Sequence, residues 1–318
     1  MKVLVTGGAG FIGANLAHEL VARRNHEVVV LDDLSTGRLS NLDGIDVDLR
    51  VATVLDTDAV RAACQGVDSI VHLAAVPSVP RSLAEPLRSH DVNASGTLAV
   101  LEVARATGAH VVVASSSSVY GRNPVLPKSE DQACLPTSPY AASKLAAESY
   151  ALAYQACFGL ECAVFRFFNV FGPLQPPDHA YAAVIPTFIS AALRGERLVI
   201  HGDGEQSRDF TFIDSVVDVL AESVLRRPTI DQPVNLAFGT RTTLNELVRL
   251  LSTNLGGQLA VTYGPPRTGD VRHSQACDAK LRQLFPAVHP VSLDTGLRRT
   301  VEWTQTLVDA GNRLGASA

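Results

Sequence analysis

The chain predicts an α/β fold, a Rossmann-type doubly wound parallel sheet with a smaller C-terminal substrate-binding lobe, on three observations. Short apolar runs alternate with helical stretches through the first half, a glycine-rich turn joins the first run to the first helix, and prolines and glycines break the alternation after Gly172. Such βαβα alternation implies parallel strands joined by right-handed crossovers.

Lys2-Val3-Leu4-Val5-Thr6 reads as the first strand and stops at Gly7-Gly8-Ala9-Gly10-Phe11-Ile12-Gly13, after which residues 14–21 show a helical pattern. Glycines between a strand and a helix let the backbone approach a pyrophosphate held at the helix N-terminus; here they are spaced Gly-x-x-Gly-x-x-Gly. Glu27-Val28-Val29-Val30-Leu31 reads as the second strand, with Asp32 and Asp33 at its end, nineteen residues beyond Gly13. A carboxylate there accepts from the adenosine ribose hydroxyls and repels a 2′-phosphate, which favours NAD over NADP, although Arg38 nearby weakens the choice. Residues 47–51 and 69–75 continue as strands around a helix at 57–64. A long helix is expected over 85–107, then a strand over 111–114. Ser115 to Ser118 follow at the C-terminal edge of the sheet, where open α/β folds bind ligands. A further helix is expected to reach Phe158, and a strand to span 162–168.

That helix begins Pro139-Tyr140-Ala141-Ala142-Ser143-Lys144. Positions i and i+4 share a helix face, so the Tyr140 phenol and Lys144 ammonium can serve one small volume. A neighbouring cation favours phenolate, which makes Tyr140 a candidate base near neutral pH.

Composition excludes several classes. Apolar residues make up 46% and charged ones 19%, without an apolar run long enough to span a bilayer and without a secretory leader pattern, so a cytoplasmic protein with no membrane partner is expected. The 27 basic residues are dispersed among 32 acidic ones, which leaves no footprint for nucleic acid. Five cysteines without a Cys-x-x-Cys pair argue against disulfides and zinc and are expected as buried thiols. Nine histidines show no ligand spacing, so no metal is expected. The composition change divides the chain into residues 1–172, an NAD-binding unit, and 173–318, mainly for substrate, with a return toward the first unit around 210–240 left open.

Together these motifs resemble the extended short-chain dehydrogenase/reductase superfamily, in particular its nucleotide-sugar epimerases. The resemblance covers nearly the whole chain: the Thr6 to Gly13 turn, Asp32-Asp33-Leu34-Ser35-Thr36-Gly37, Ser116 four residues before Tyr120, Tyr140-x-x-x-Lys144, Arg166-Phe167-Phe168-Asn169-Val170-Phe171-Gly172-Pro173 and Gly202-Asp203-Gly204-Glu205-Gln206-Ser207-Arg208-Asp209-Phe210. Sugar-nucleotide 4,6-dehydratases carry Thr-Asp-Glu where this chain has Ser116-Ser117-Ser118, which argues against dehydration. Ala180 to Pro186, Arg241 to Leu247 and Gly269 to Ser274 look like the bacterial UDP-N-acetylglucosamine 4-epimerases of polysaccharide pathways. Where epimerases restricted to UDP-glucose and UDP-galactose have a bulky tyrosine, Ser274 leaves room for a 2-acetamido group.

The resemblance implies a tightly held NAD and a UDP-sugar inverted at C4 through a 4-keto intermediate, with UDP-N-acetylglucosamine the expected substrate. UDP-glucuronate and UDP-glucose stay open as alternatives, as does a non-catalytic NAD-sensing protein. Tyr140, Lys144 and Ser116 are implied as catalytic. NAD contacts fall to Gly7, Gly10, Phe11, Ile12, Gly13, Asp32, Asp33, Thr36, Gly37, Thr53, Val54, Leu73, Ala74, Ala75, Asn93, Tyr140, Lys144 and Phe168. Ser116, Ser117, Tyr140, Asn169, Val184, Arg208, Arg267 and Ser274 are implied for the substrate, Arg208 and Arg267 as clamps on its diphosphate. Two departures stand out: Ala52-Thr53-Val54 replaces the family's Gly-Asp-Ile before the adenine pocket, and Asp278 is displaced by one from the family's Ala-Asp, with Cys277 in its slot. A homodimer pairing two long helices is the family's common assembly.

Overall fold

A computed structural model describes residues 1–177, 183–266 and 271–315. Seven parallel strands form the central sheet: β1 (Lys2–Thr6), β2 (Glu27–Asp32), β3 (Asp48–Val51), β4 (Ser69–His72), β5 (His110–Ser116), β6 (Cys162–Phe167) and β7 (Val234–Leu236). Their order is β7-β6-β5-β4-β1-β2-β3, so the winding reverses between β1 and β4 and opens a crevice at the C-terminal ends of that pair.

Helices cover both faces, which is why the inner strands are apolar without alternation. Val3, Val5, Val28 and Val30 face one core with Leu16 of helix Phe11–His18 and Val216 and Leu220 of helix Ile213–Arg226. Leu4, Val29 and Leu31 face the other, with Val60 of Thr57–Ala63, Leu101 of Gly96–Thr107 and Ala151 of Pro139–Phe158. Each fully buried Val or Leu contributes about 1.5–3 kcal/mol. Edge strand β3 is largely exposed.

Several boundaries differ from expectation, each for a local reason. The first helix starts at Phe11, three residues early, because the glycine turn runs straight into it, and it closes in a π-helical turn at Glu19–Arg23. β4 stops at His72, since Leu73 and Ala74 turn their N–H groups to the backbone carbonyl and the hydroxyl of Thr6. β5 runs on through Ser115 and Ser116, so two of the four serines belong to the strand. The expected 85–107 helix is Pro86–His90 and Gly96–Thr107 with a π-helical turn, Asp91–Ser95, between them. Such a turn often marks a functional position, and this one carries Asn93.

Beyond Gly172 the chain returns to the sheet. The short pair Val170–Phe171 and Thr211–Phe212 leads into helix Ile213–Arg226, and β7 then pairs with β6. The remainder includes helices Val184–Leu193, Leu244–Asn254 and Leu293–Gly315. Helix Leu244–Asn254 opens with a reciprocal capping box between Thr243 and Glu246. Of the cysteines only Cys64 and Cys162 are buried, each thiol pushed up to about 11 by burial; Cys157 is exposed, and Cys134 and Cys277 are half-buried. Among the described residues no helix is long and apolar enough to cross a membrane, and no group of three or more His, Cys, Asp or Glu could hold a metal.

Candidate active site

The three glycines of the Gly-x-x-Gly-x-x-Gly spacing serve different needs. Gly7 has φ +70°, and a Cβ there would stand 2.7 Å from the Ala74 nitrogen; a Cβ at Gly13 would stand 2.2 Å from the Gly7 carbonyl oxygen. Both are demanded by the fold. Gly10 has φ −78°, open to any residue, and its Cβ would meet only the Gly7 oxygen at 3.2 Å. It precedes helix Phe11–His18, which no side chain caps. A helix N-terminus with uncapped N–H groups and a missing side chain fits a pyrophosphate.

The two acids at the end of β2 divide their work. Asp32 is buried and accepts from the Ala9 N–H (2.9 Å) and the Leu34 N–H (2.8 Å), bracing the turn, while burial raises its pKa against those bonds. Asp33 is exposed and accepts from Ser35 N–H. Gly37 packs against Ala9 and Asp32 so closely that a Cβ would lie 2.9 Å from either; Thr36 beside it is exposed. Phe11 and Ile12 are half-buried at the helix start, and Leu73, Ala74 and Ala75 line the turn after β4. Val54 is buried against Gly96, and the Thr53 hydroxyl accepts from Leu55 N–H. Asn93 is fully buried with its amide committed to Val76 and Ser143. The Phe168 ring is sealed beside Tyr120, which leaves only its backbone to reach a ligand.

Tyr140 lies in the first turn of its helix, where Ser138 caps by accepting from Ala141 N–H and Pro139 sets the entry. The Ser116 hydroxyl oxygen accepts from Ser118 N–H at 3.2 Å, and the Ser116 hydroxyl favours the ionised form of the phenol. Lys144 is buried and donates from Nζ to the Ala114 carbonyl at 2.9 Å. The electrostatics correct the sequence expectation. Burial raises the Tyr140 pKa, opposed by the Ser116 hydroxyl rather than by Lys144, and burial lowers Lys144 to about 8.

Beneath this pair lies a network that sequence reasoning missed. Glu148, one turn beyond Lys144 on the same face, receives Arg166 through Nε–Oε2 (3.0 Å) and Nη2–Oε1 (2.5 Å) and also accepts from the Ser115 hydroxyl. Both side chains are 4% exposed, and the guanidinium covers the Tyr120 ring at 4.7 Å. A second charged residue, one turn after Lys144, on a face that also holds Ala141, Ala147 and Ala151 was the available signal.

On the substrate side, Asn169 accepts Thr211 N–H at its carbonyl, which ties the segment after Arg208 to the end of β6. Ser207–Arg208 pairs antiparallel with Thr242–Thr243, and Ser274 N–H donates to the Ser207 carbonyl, so Arg208 and Ser274 lie on adjacent stretches of chain. The Arg208 guanidinium donates to the Ser207 and Arg272 carbonyls. Asp209 is buried, accepts from Thr240 and from Ala276 N–H, and is pushed up to about 6 by burial. Val184 is half-buried at the start of its helix, and Ser117 is half-buried after β5. Arg267 lies outside the described residues, as do residues 178–182.

The family model described as NAD dependent epimerase/dehydratase matches residues 3–237. The chain belongs to this family. This epimerase/dehydratase is 38% identical, over 95% of its length and 98% of the other's, to a protein of Mycolicibacterium smegmatis named UDP-glucose 4-epimerase. It also matches the structure of a UDP-N-acetylglucosamine 4-epimerase from Methanobrevibacter ruminantium in complex with UDP-N-acetylmuramic acid, with a TM-score of 0.91 and 36% identity over 96% of this chain and 98% of that one. A UDP-glucuronic acid 4-epimerase from Bacillus cereus, solved with UDP-glucuronic acid and NAD, gives a TM-score of 0.88 and 28% identity over 96% of this chain and all of that one.

Proposed function

We propose that this NAD-dependent enzyme inverts C4 of a UDP-hexose, and that its substrate is UDP-N-acetylglucosamine, converted to UDP-N-acetylgalactosamine. The observation that carries the reading is Tyr140 and Lys144 on one face of helix Pro139–Phe158, with Lys144 Nζ on the Ala114 carbonyl of β5 and the Ser116 hydroxyl at the end of that strand favouring the phenolate. Residues 1–172 hold the dinucleotide and 173–318 mainly the UDP-sugar. Gly10 and the start of helix Phe11–His18 receive the pyrophosphate, and Asp33 accepts from the adenosine ribose. When bound, NAD supplies the acceptor for hydride from C4 and its return to the opposite face. Tyr140 Oη takes the proton of the 4-hydroxyl and gives it back after the 4-keto sugar has turned over, while Ser116 donates to the reacting oxygen. Lys144 holds the nicotinamide ribose. An oxidised nicotinamide ring carries a positive charge, which would favour the phenolate that burial alone disfavours. Arg208, with Arg267, clamps the diphosphate.

The substrate choice is supported by Ser274 beside Arg208 and by the 36% identity to a UDP-N-acetylglucosamine 4-epimerase, against 28% to a UDP-glucuronic acid 4-epimerase. The 38% identity to a relative named UDP-glucose 4-epimerase keeps UDP-glucose as the second reading. The test incubates the purified protein with each UDP-sugar without added NAD and separates the products. A C4 epimer from none of them removes the enzyme reading; turnover of UDP-glucose or UDP-glucuronate but not UDP-N-acetylglucosamine removes the substrate choice. A homodimer is proposed through residues 89–107 and 145–158, where Tyr150 and Phe158 are exposed; light scattering on a sizing column at monomer mass would refute it.

A further inference from the structure

A directed chain of buried hydrogen bonds runs from the end of β1 to the Tyr140 helix, and the chemistry above does not use it. Ala74 N–H donates to Thr6 Oγ1 (3.3 Å), which lies 2.7 Å from His72 Nδ1; Thr6 and His72 are register partners on β1 and β4. Across the ring, His72 Nε2 lies 3.0 Å from Thr97 Oγ1, whose hydroxyl donates to the Asn93 carbonyl at 2.6 Å. The Asn93 amide accepts from Val76 N–H (2.7 Å), donates to the Val76 carbonyl (3.2 Å) and donates to Ser143 Oγ (3.0 Å). Ser143 Oγ then donates to the Tyr140 carbonyl at 2.8 Å. Thr6, His72, Asn93, Thr97 and Ser143 are all buried.

The directions follow from proton counting. Thr97 commits its only hydroxyl proton to Asn93, so it accepts from His72, and Nε2 must carry the ring proton. Nδ1 is then the acceptor for Thr6, whose oxygen keeps lone pairs for Ala74. Each of these side chains has its partner only if the imidazole is neutral and of this tautomer. A second ring proton would leave the Thr6 hydroxyl without its acceptor and add a cation beside Lys144.

We propose that His72 is a positioning residue for the reaction: its neutral Nε2–H imidazole joins the end of β1, the Leu73 to Val76 segment and the first turn of the Tyr140 helix into one rigid unit. That unit holds the phenol at a fixed place relative to the dinucleotide crevice. The proposal rests on the reading of Tyr140 as the proton-transfer group. Asn93 becomes a brace whose amide links the two sides, and the π-helical turn at Asp91–Ser95 is what carries it.

The test uses the full chain with its co-purified NAD and compares His72→Leu, His72→Gln and Thr97→Val with wild type. A glutamine amide presents an acceptor and a donor side by side and can rejoin Thr6 and Thr97; leucine cannot. In His72→Leu and Thr97→Val, kcat should fall about tenfold to a hundredfold, the range expected for a displaced reacting group. KM for the UDP-sugar should stay within about twofold, and His72→Gln should recover most of kcat. Nitrogen-15 spectra of wild type should give a protonated Nε2, a bare Nδ1 and no titration between about pH 5.5 and 8, across the ordinary histidine pKa. NAD should leave His72→Leu faster than wild type. A titrating His72, a proton on Nδ1, or unchanged kcat in both disruptive variants would overturn the proposal, as would a glutamine variant no better than leucine. If His72→Leu does not fold, Thr97→Val and the wild-type spectra decide. If wild type itself epimerises no UDP-sugar, the activity reading fails by itself, and the spectra and NAD release rates still judge His72.

Discussion

Replacing Glu148 with leucine would strand the Arg166 guanidinium where water scarcely reaches. With both side chains 4% exposed, the change removes two charge-assisted hydrogen bonds to Arg166 and one from Ser115. What remains for the guanidinium is the Glu130 carbonyl at 3.4 Å, the Cys134 sulfur at 3.3 Å and the Tyr120 ring. Breaking one partner of a buried pair costs about 3–5 kcal/mol, a third to a half of a typical domain's total of about 10 kcal/mol. Glu148→Leu/Arg166→Leu removes both charges and should cost less than the sum of the single variants. The shortfall should be about 2–3 kcal/mol, because the second substitution abolishes the uncompensated charge left by the first. Urea unfolding followed by circular dichroism on the four proteins gives the cycle. Single variants costing under about 1 kcal/mol, or a double variant that loses the full sum, would refute the account of a pair whose members need each other.

Tyr140→Phe should lower turnover by about 10²–10⁴-fold with UDP binding intact by calorimetry; near-wild-type turnover would remove the phenol from the mechanism. Gly10→Ala should keep the fold yet lose co-purified NAD. Gly13→Ala, with its Cβ 2.2 Å from a backbone oxygen, should lose stability as well, by about 1–3 kcal/mol; equal effects on melting temperature and NAD content would contradict the division of roles. His72 is held at about 3, below its ordinary 6.5, so between those values the unfolded chain binds the extra proton and stability falls with acid. From pH 7 to 5 the loss from this group is about 2 kcal/mol, present in wild type and missing in His72→Gln. Asp209, raised to about 6, works in the opposite sense, so the difference between the two proteins is the quantity to measure.

The strands and the glycine turn were legible because their signals are local: apolar runs of strand length, and glycines between a strand and a helix. Tyr140 and Lys144 were legible because helical spacing alone brings them together. What decides their protonation was not, since it depends on burial and on Ser116, twenty-four residues away in sequence. Glu148 and Arg166 meet only after β6 lies beside β5, and His72 finds Thr97 only once a helix covers the sheet. The π-helical turn at Asp91–Ser95 has no sequence signature comparable to a cap, and an unbroken helix over 85–107 was the natural reading.

The late arrival of β7 has a consequence for anyone cutting or splicing this protein. Asn235 on that strand receives the Tyr120 hydroxyl at 2.6 Å and donates to the Lys128 carbonyl, so a stretch from far downstream plugs polar groups left by the region after β5. A fragment ending at residue 172 would expose the flank of β6 and orphan that tyrosine. Separate expression of the two halves should therefore yield aggregates, whereas co-expression could let them dock.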